Sequence, residues 1–271
     1  MKGEVRKLKV NPLTLDDGFT RDGLEAVSQL TGKEPYYIVG GVATQSYLPT
    51  SCRRPTSDID LSIVRPLNYE DFKSLSKPIS EYLLDNGYSV ETKKGSRAFS
   101  LNVRNRGGEG LLIEMSRRNK QSFEKSKGKL ERELIHSKRK IVEDRKATYS
   151  VAAPEDIIVP KLARSVNALL KNSELMYNLP NPAETFTPEY IVKRLNLIQN
   201  LREKAMDNPL NLILFDQLKF ISDIFDIRVL SEVAGINVKY FEASKRDWNA
   251  LSGNIPELDI LFNLTLPKLN H

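Results

Sequence analysis

Tyr36-Tyr37-Ile38-Val39-Gly40-Gly41-Val42-Ala43, followed by Arg54-Pro55-Thr56-Ser57-Asp58-Ile59-Asp60-Leu61-Ser62-Ile63-Val64, is the stretch that decides the fold. The first segment reads as an apolar strand that breaks at a glycine pair and restarts as a helix. The second reads as a strand on which side chains alternate between two faces. Asp58 and Asp60 therefore point one way, while Ile59, Leu61 and Ile63 point the other and anchor the strand. Two carboxylates held side by side repel and cost stability unless a cation sits between them. The pattern predicts a divalent-metal site for phosphoryl-type chemistry.

Such chemistry needs metal ions on carboxylates, a cradle for phosphate oxygens and a group that activates the attacking oxygen. Asp58 and Asp60 suit magnesium, which takes oxygen ligands and keeps several waters. Gly40 and Gly41 end a strand and open a helix, where backbone N–H groups favour phosphate and glycine permits close approach. Glu114 is the candidate third acid, alone in the apolar run Leu111-Leu112-Ile113-Glu114-Met115. The bland alternative for all three acids is an exposed strand at a sheet edge.

One cysteine, Cys52, excludes an internal disulfide and a cysteine-based zinc site in this chain, and two histidines exclude a histidine-rich metal cluster. Cys52 reads as an incidental thiol, His136 as a surface residue and Trp248 as packing. No run approaches the ~20 apolar residues of a membrane span. The charged start, Met1-Lys2-Gly3-Glu4, shows no signal peptide, so a reducing cytoplasm is the expected setting. The net charge of +6 is local in origin: between Arg117 and Lys146, twelve Lys or Arg stand against five Asp or Glu. Concentrated positive charge suits a polyanion, because binding releases its counterions. A solvated basic helix or hairpin with no partner is the competing reading.

Patterning predicts an edge strand and a helix before Gly32, a strand over 36–39, a helix over 42–48 and a proline-bounded loop over 49–56. A helix over 68–86, interrupted or restarted at Pro78, follows the Asp strand. Three strands are expected over 88–91, 98–103 and 111–115. The basic segment reads as a short helix and a hairpin near Glu143-Asp144-Arg145-Lys146. Pro154-Glu155-Asp156 opens a helix to Leu170 with acids in its first turn. Asn178-Leu179-Pro180-Asn181-Pro182 reads as a boundary, giving a first domain over 1–178 and a helical one over 179–271. The fold class expected is α/β: a mixed sheet flanked by helices, followed by a helical C-terminal domain.

Val39-Gly40-Gly41-Val42-Ala43 with Arg54-Pro55-Thr56-Ser57-Asp58-Ile59-Asp60-Leu61 resembles the DNA polymerase β-type nucleotidyltransferase superfamily. More narrowly, Arg-x-Thr-x-Asp-Ile-Asp-Leu resembles the AbiEii-like toxins of type IV toxin–antitoxin systems. The segment from Val151 through Pro154-Glu155-Asp156 to Lys161-Leu162 and Arg164 is similar too. The resemblance spans roughly residues 36 to 170. It implies magnesium-dependent transfer of a nucleoside monophosphate from an NTP, with two ions. Asp58, Asp60 and Glu114 would serve as catalytic and metal-binding acids, and Gly40 and Gly41 as phosphate-binding residues. It further implies that Lys161 neutralises the triphosphate, with Arg164 on the same helix, and that Arg54 supports the Asp strand or the nucleotide. For Lys161 and Arg164 a solvated helix face is the alternative. Two departures accompany it: Gly41 stands where the superfamily often has serine, and Ser165-Val166-Asn167 follows where the toxins carry an Arg-Asp-x-x-Asp run.

The function expected is transfer to an RNA acceptor such as a tRNA 3′ end, through the basic segment 117–146, by a toxin whose candidate partner is an antitoxin. Transfer to a small antibiotic-type acceptor is the alternative, as is a non-catalytic nucleotide- or RNA-binding module.

Overall fold

Strand order places the Asp-Ile-Asp segment at the centre of a sheet rather than at its rim. The computed structural model describes residues 14–54, 56, 58–175, 209–253 and 256–266, without the side chains of 174, 209–216 and 218. The expected first edge strand and the Pro-rich boundary at 178–182 lie outside the described residues. Two compact units result, Met1–Ser46 with Pro55–Ala152, and Tyr47–Arg54 with Ala153–His271.

The first unit carries β1 (Tyr36–Val39), β2 (Asp58–Ile63), β3 (Ser89–Lys94), β4 (Ala98–Arg104), β5 (Gly110–Ser116), β6 (Lys138–Ile141) and β7 (Thr148–Val151). They form one mixed sheet in the order β3-β4-β5-β2-β1-β7-β6. β2 runs parallel to β5 and antiparallel to β1, and β1 runs parallel to β7. The sheet has two unlike faces. Tyr36, Ile38, Ile59, Leu61, Ile63, Phe99, Leu101, Val103, Leu111, Ile113 and Met115 are all buried, and register puts them on one face. Helices α1 (Gly18–Ser28) and α3 (Tyr69–Asp85) pack on this sheet and on each other. The two edges, β3 and β6, are charged (Glu91, Lys93, Lys94; Lys138, Arg139, Lys140), which discourages pairing with another chain.

Local chemistry sets the helix ends. Asp17 accepts from the Thr20 amide, Asn68 from Asp71 and Asn119 from Ser122, each as an N-cap. The interruption expected at Pro78 does not occur, and α3 runs through it. Phe72, Leu75, Ile79 and Leu83, buried on both sides of the proline, offset the lost backbone bond. The basic helix expected to be short is α4 (Lys120–His136), 17 residues long. Its buried residues, Phe123, Leu130 and Glu133, recur at helical spacing.

The second unit contains α5 (Pro154–Lys171), α6 (Pro209–Val233), α7 (Val238–Lys245) and α8 (Pro256–Thr265). α5, expected in the first domain, packs with these later helices. Its opening acids supply a physical reason. Glu155 accepts from the Asn237 amide at 2.6 Å, while Asp156 accepts from Tyr240 Oη at 2.6 Å and Ser244 Oγ at 2.8 Å. The Pro-Glu-Asp start thus secures α7 as well as opening its own helix.

Candidate active site

The face opposite the apolar core is polar at its centre. Register pairs Asp60 with Glu114 across β2 and β5, and Val39 with Asp60 across β1 and β2. One carboxylate oxygen from each of Asp58, Asp60 and Glu114 lies within 4.8 Å of the others, and all three residues are half-buried. The edge-strand reading is excluded, because β2 lies between β1 and β5, and β5 between β2 and β4. An all-oxygen set of three carboxylates at this separation fits a hard divalent cation such as magnesium or manganese. When bound, such ions neutralise phosphate charge and orient attacking and leaving oxygens for in-line displacement.

Gly40 and Gly41 are both required by what sits against them. Gly40 has φ +74°, where an L side chain is strained, and a Cβ there would come within 2.5 Å of an Asp60 carboxylate oxygen. The helix they open, α2 (Gly40–Gln45), is only six residues long. A Cβ on Gly41 would collide with Thr56, meeting Oγ1 first. The space for a side chain at 41 is already filled. Thr56 also donates to Asp58 Oδ1 at 3.4 Å. The sequence held a signal for Thr56, two residues before Asp58 on an alternating stretch, but nothing in it showed the approach to Gly41.

One end of this polar face is closed. Tyr37, the register partner of Ser62, donates its hydroxyl to Glu133 of α4. Burial, then the Glu133 charge, pushes the Tyr37 hydroxyl far above its ordinary value, so it stays protonated as the donor. Arg118 donates to Ser62 Oγ at 3.1 Å and to the Ile63 carbonyl at 2.9 Å. This member of the basic block is therefore a structural clamp. Arg145 is likewise committed, to Asp22 and Glu25 at 2.8 Å each. Lys120, Lys125, Lys127, Lys138, Arg139 and Lys146 remain exposed.

Arg54, Lys161 and Arg164 come together inside the second unit. Arg54 is bidentate on Asp226, with Nε at 2.7 Å from Oδ1. Lys161, buried, donates to Asp226 Oδ2 at 2.7 Å and to Asp223 Oδ1 at 3.3 Å. Arg164, half of whose side chain is exposed, grips Asp223 through Nε at 3.0 Å and Nη2 at 2.9 Å. Burial alone would raise the Asp226 carboxyl, but Arg54 and then Lys161 hold it below the ordinary carboxylate range. The solvated-face reading of Lys161 is excluded by its burial. Asp223 and Asp226 were missed by sequence reading; two acids three residues apart among the apolar residues Ile221, Ile224, Phe225 and Ile227 are the signal that could have found them.

No family model and no curated protein sequence matches the chain. Solved structures similar to it include an antigenic nucleotidyltransferase-like protein from Paracoccidioides brasiliensis. That match has 20% identity and a TM-score of 0.38, covering 58% of this chain and 70% of that one. Another is MenT4, a nucleotidyltransferase toxin from Mycobacterium tuberculosis, at 14% identity and a TM-score of 0.35, covering 93% and 88%. The function of this chain rests on its own residues.

Proposed function

We propose that the chain is a metal-dependent nucleotidyltransferase that moves a nucleoside monophosphate from an NTP to an RNA acceptor. The observation that carries this is the convergence of Asp58, Asp60 and Glu114 on adjacent central strands beside the Gly40-Gly41 turn. In this reading Asp58 and Asp60 hold magnesium, and the glycine turn faces the triphosphate. Glu114 takes the proton from the acceptor hydroxyl. The acceptor oxygen bonds to the α-phosphorus, the α–β anhydride bond breaks, and pyrophosphate leaves with the electron pair.

Exposed Lys120, Lys125, Lys127, Lys138 and Arg139 favour a polyanionic acceptor over a cationic antibiotic. The AbiEii-like toxin assignment, and an antitoxin as partner, rest on the Arg-x-Thr-x-Asp-Ile-Asp-Leu resemblance. Among the described residues no helix is long and apolar enough to cross a membrane.

The test is incubation with each α-³²P NTP, magnesium and total tRNA. Label enters RNA with the wild-type chain and not with Asp60→Ala, and Glu114→Gln slows transfer strongly while sparing NTP binding. Label that persists in Asp60→Ala sinks the acid site. Label on a small acceptor but not on RNA replaces the acceptor.

A further inference from the structure

The polar face of the sheet continues beyond Glu114. On β4, Ser100 is the register partner of Glu114, and Asn102 is the partner of Leu112, itself opposite Asp58. Register therefore puts both on the acid face, while Phe99, Leu101 and Val103 between and beside them fill the core. Asn102 is 5% exposed and Ser100 9%. Neither side chain makes a hydrogen bond among the described residues, and their polar atoms are not fully sealed.

Buried amides and hydroxyls in native proteins are almost always paired with protein or water, so these two polar groups are open to solvent or a ligand. β4 is an interior strand, where valine or threonine is the commoner occupant. The asparagine amide offers two donors and an acceptor, and the serine hydroxyl can serve as either. This uncharged pair suits a neutral group that both donates and accepts, such as a vicinal diol, rather than a phosphate.

We propose that Ser100 and Asn102 form the subsite for the acceptor's terminal ribose, hydrogen-bonding its cis-diol so that the attacking hydroxyl sits at Glu114. The assignment rests on the transferase reading above. In that reading the triphosphate lies toward β1 and Gly40, which leaves the opposite flank of Glu114, where β4 runs, to the acceptor.

The test is fluorescence-anisotropy binding of a short RNA oligonucleotide with manganese and no NTP. One RNA ends in a 2′,3′-diol, and the same RNA ends in a 2′,3′-dideoxyribose. The wild-type chain should prefer the diol by about tenfold. Ser100→Ala and Asn102→Leu should each reduce that preference and together abolish it. Manganese binding, read by electron paramagnetic resonance, should be unchanged. The thermal midpoint should hold, because neither side chain bonds to another described residue. A preference that survives in the double variant overturns the subsite, as does a fall in midpoint with the preference intact. A wild-type chain that binds manganese and both RNAs equally overturns the subsite alone. A chain that binds neither manganese nor RNA overturns the transferase reading and the subsite with it.

Discussion

The two groups of acids in this molecule are handled in opposite ways. In the first unit Asp58, Asp60 and Glu114 converge on one another at half-buried positions. In the second, Asp223 and Asp226 are deeply buried, and each faces named cations: Arg54 and Lys161 on one, Lys161 and Arg164 on the other. Paired charges of this kind hold helices together, whereas converging like charges make sense as a binding site. Burial of a carboxylate is therefore no guide to function until its partners are known.

Breaking one member of each group should therefore give opposite results. Asp60→Ala should lower nucleotidyl transfer by more than about a hundredfold, since losing a ligand exceeds the loss of a supporting contact. Its thermal midpoint should change little, since Asp60 is half-buried and two acids remain beside it. Asp226→Asn should instead destabilise the protein by about 3–5 kcal/mol, because it removes the buried charge that both Arg54 and Lys161 engage. Urea unfolding followed by circular dichroism separates the two; a stability loss in Asp60→Ala matching that of Asp226→Asn would erase the contrast.

Acid sharpens it further. The Asp226 carboxyl is lower in the folded chain than its unfolded value of about 3.9. Its contribution to stability is therefore present above that value and is lost as pH falls through the folded one. Stability measured from pH 6 downward should drop below about pH 4, and that share of the slope should be missing in Asp226→Asn.

Gly40→Ala comes next in size. Its positive φ alone strains the variant by roughly 1–2 kcal/mol, and the added methyl displaces Asp60. Activity should fall further than stability accounts for, measured as transfer rate against thermal midpoint. The smallest effect belongs to the basic surface. Removing Lys125 or Arg139 should weaken RNA binding mildly and reduce the slope of log affinity against log salt by about one unit per lost phosphate contact. An unchanged slope would return that residue to ordinary solvated charge.

Much of the first unit is legible along the chain because its signals are local. Alternation marks β2, the lone acid in an apolar run marks β5, and the glycine pair marks the end of β1. Pro78 misleads because the apolar residues that carry α3 through it act through burial, which local propensity does not contain. Arg118 looks like one more member of a basic run, yet its guanidinium is spent on the Ser62 and Ile63 end of β2.

Residue order alone tells that Asp58 and Asp60 share a face, that a glycine turn precedes them, and that one cysteine and two histidines cannot make a cysteine-based zinc site or a histidine-rich cluster within this chain. Residue type and a two-residue period are enough for that. Strand pairing was needed to bring Glu114 to them, to set Thr56 in the space at Gly41, and to extend the same face with Ser100 and Asn102. The tertiary structure also decided that Lys161 is answered by Asp223 and Asp226, more than sixty residues further along. Each of these depends on which strands or helices lie side by side. Pairing over that distance is set by packing of the whole chain, not by the spacing of residues along it.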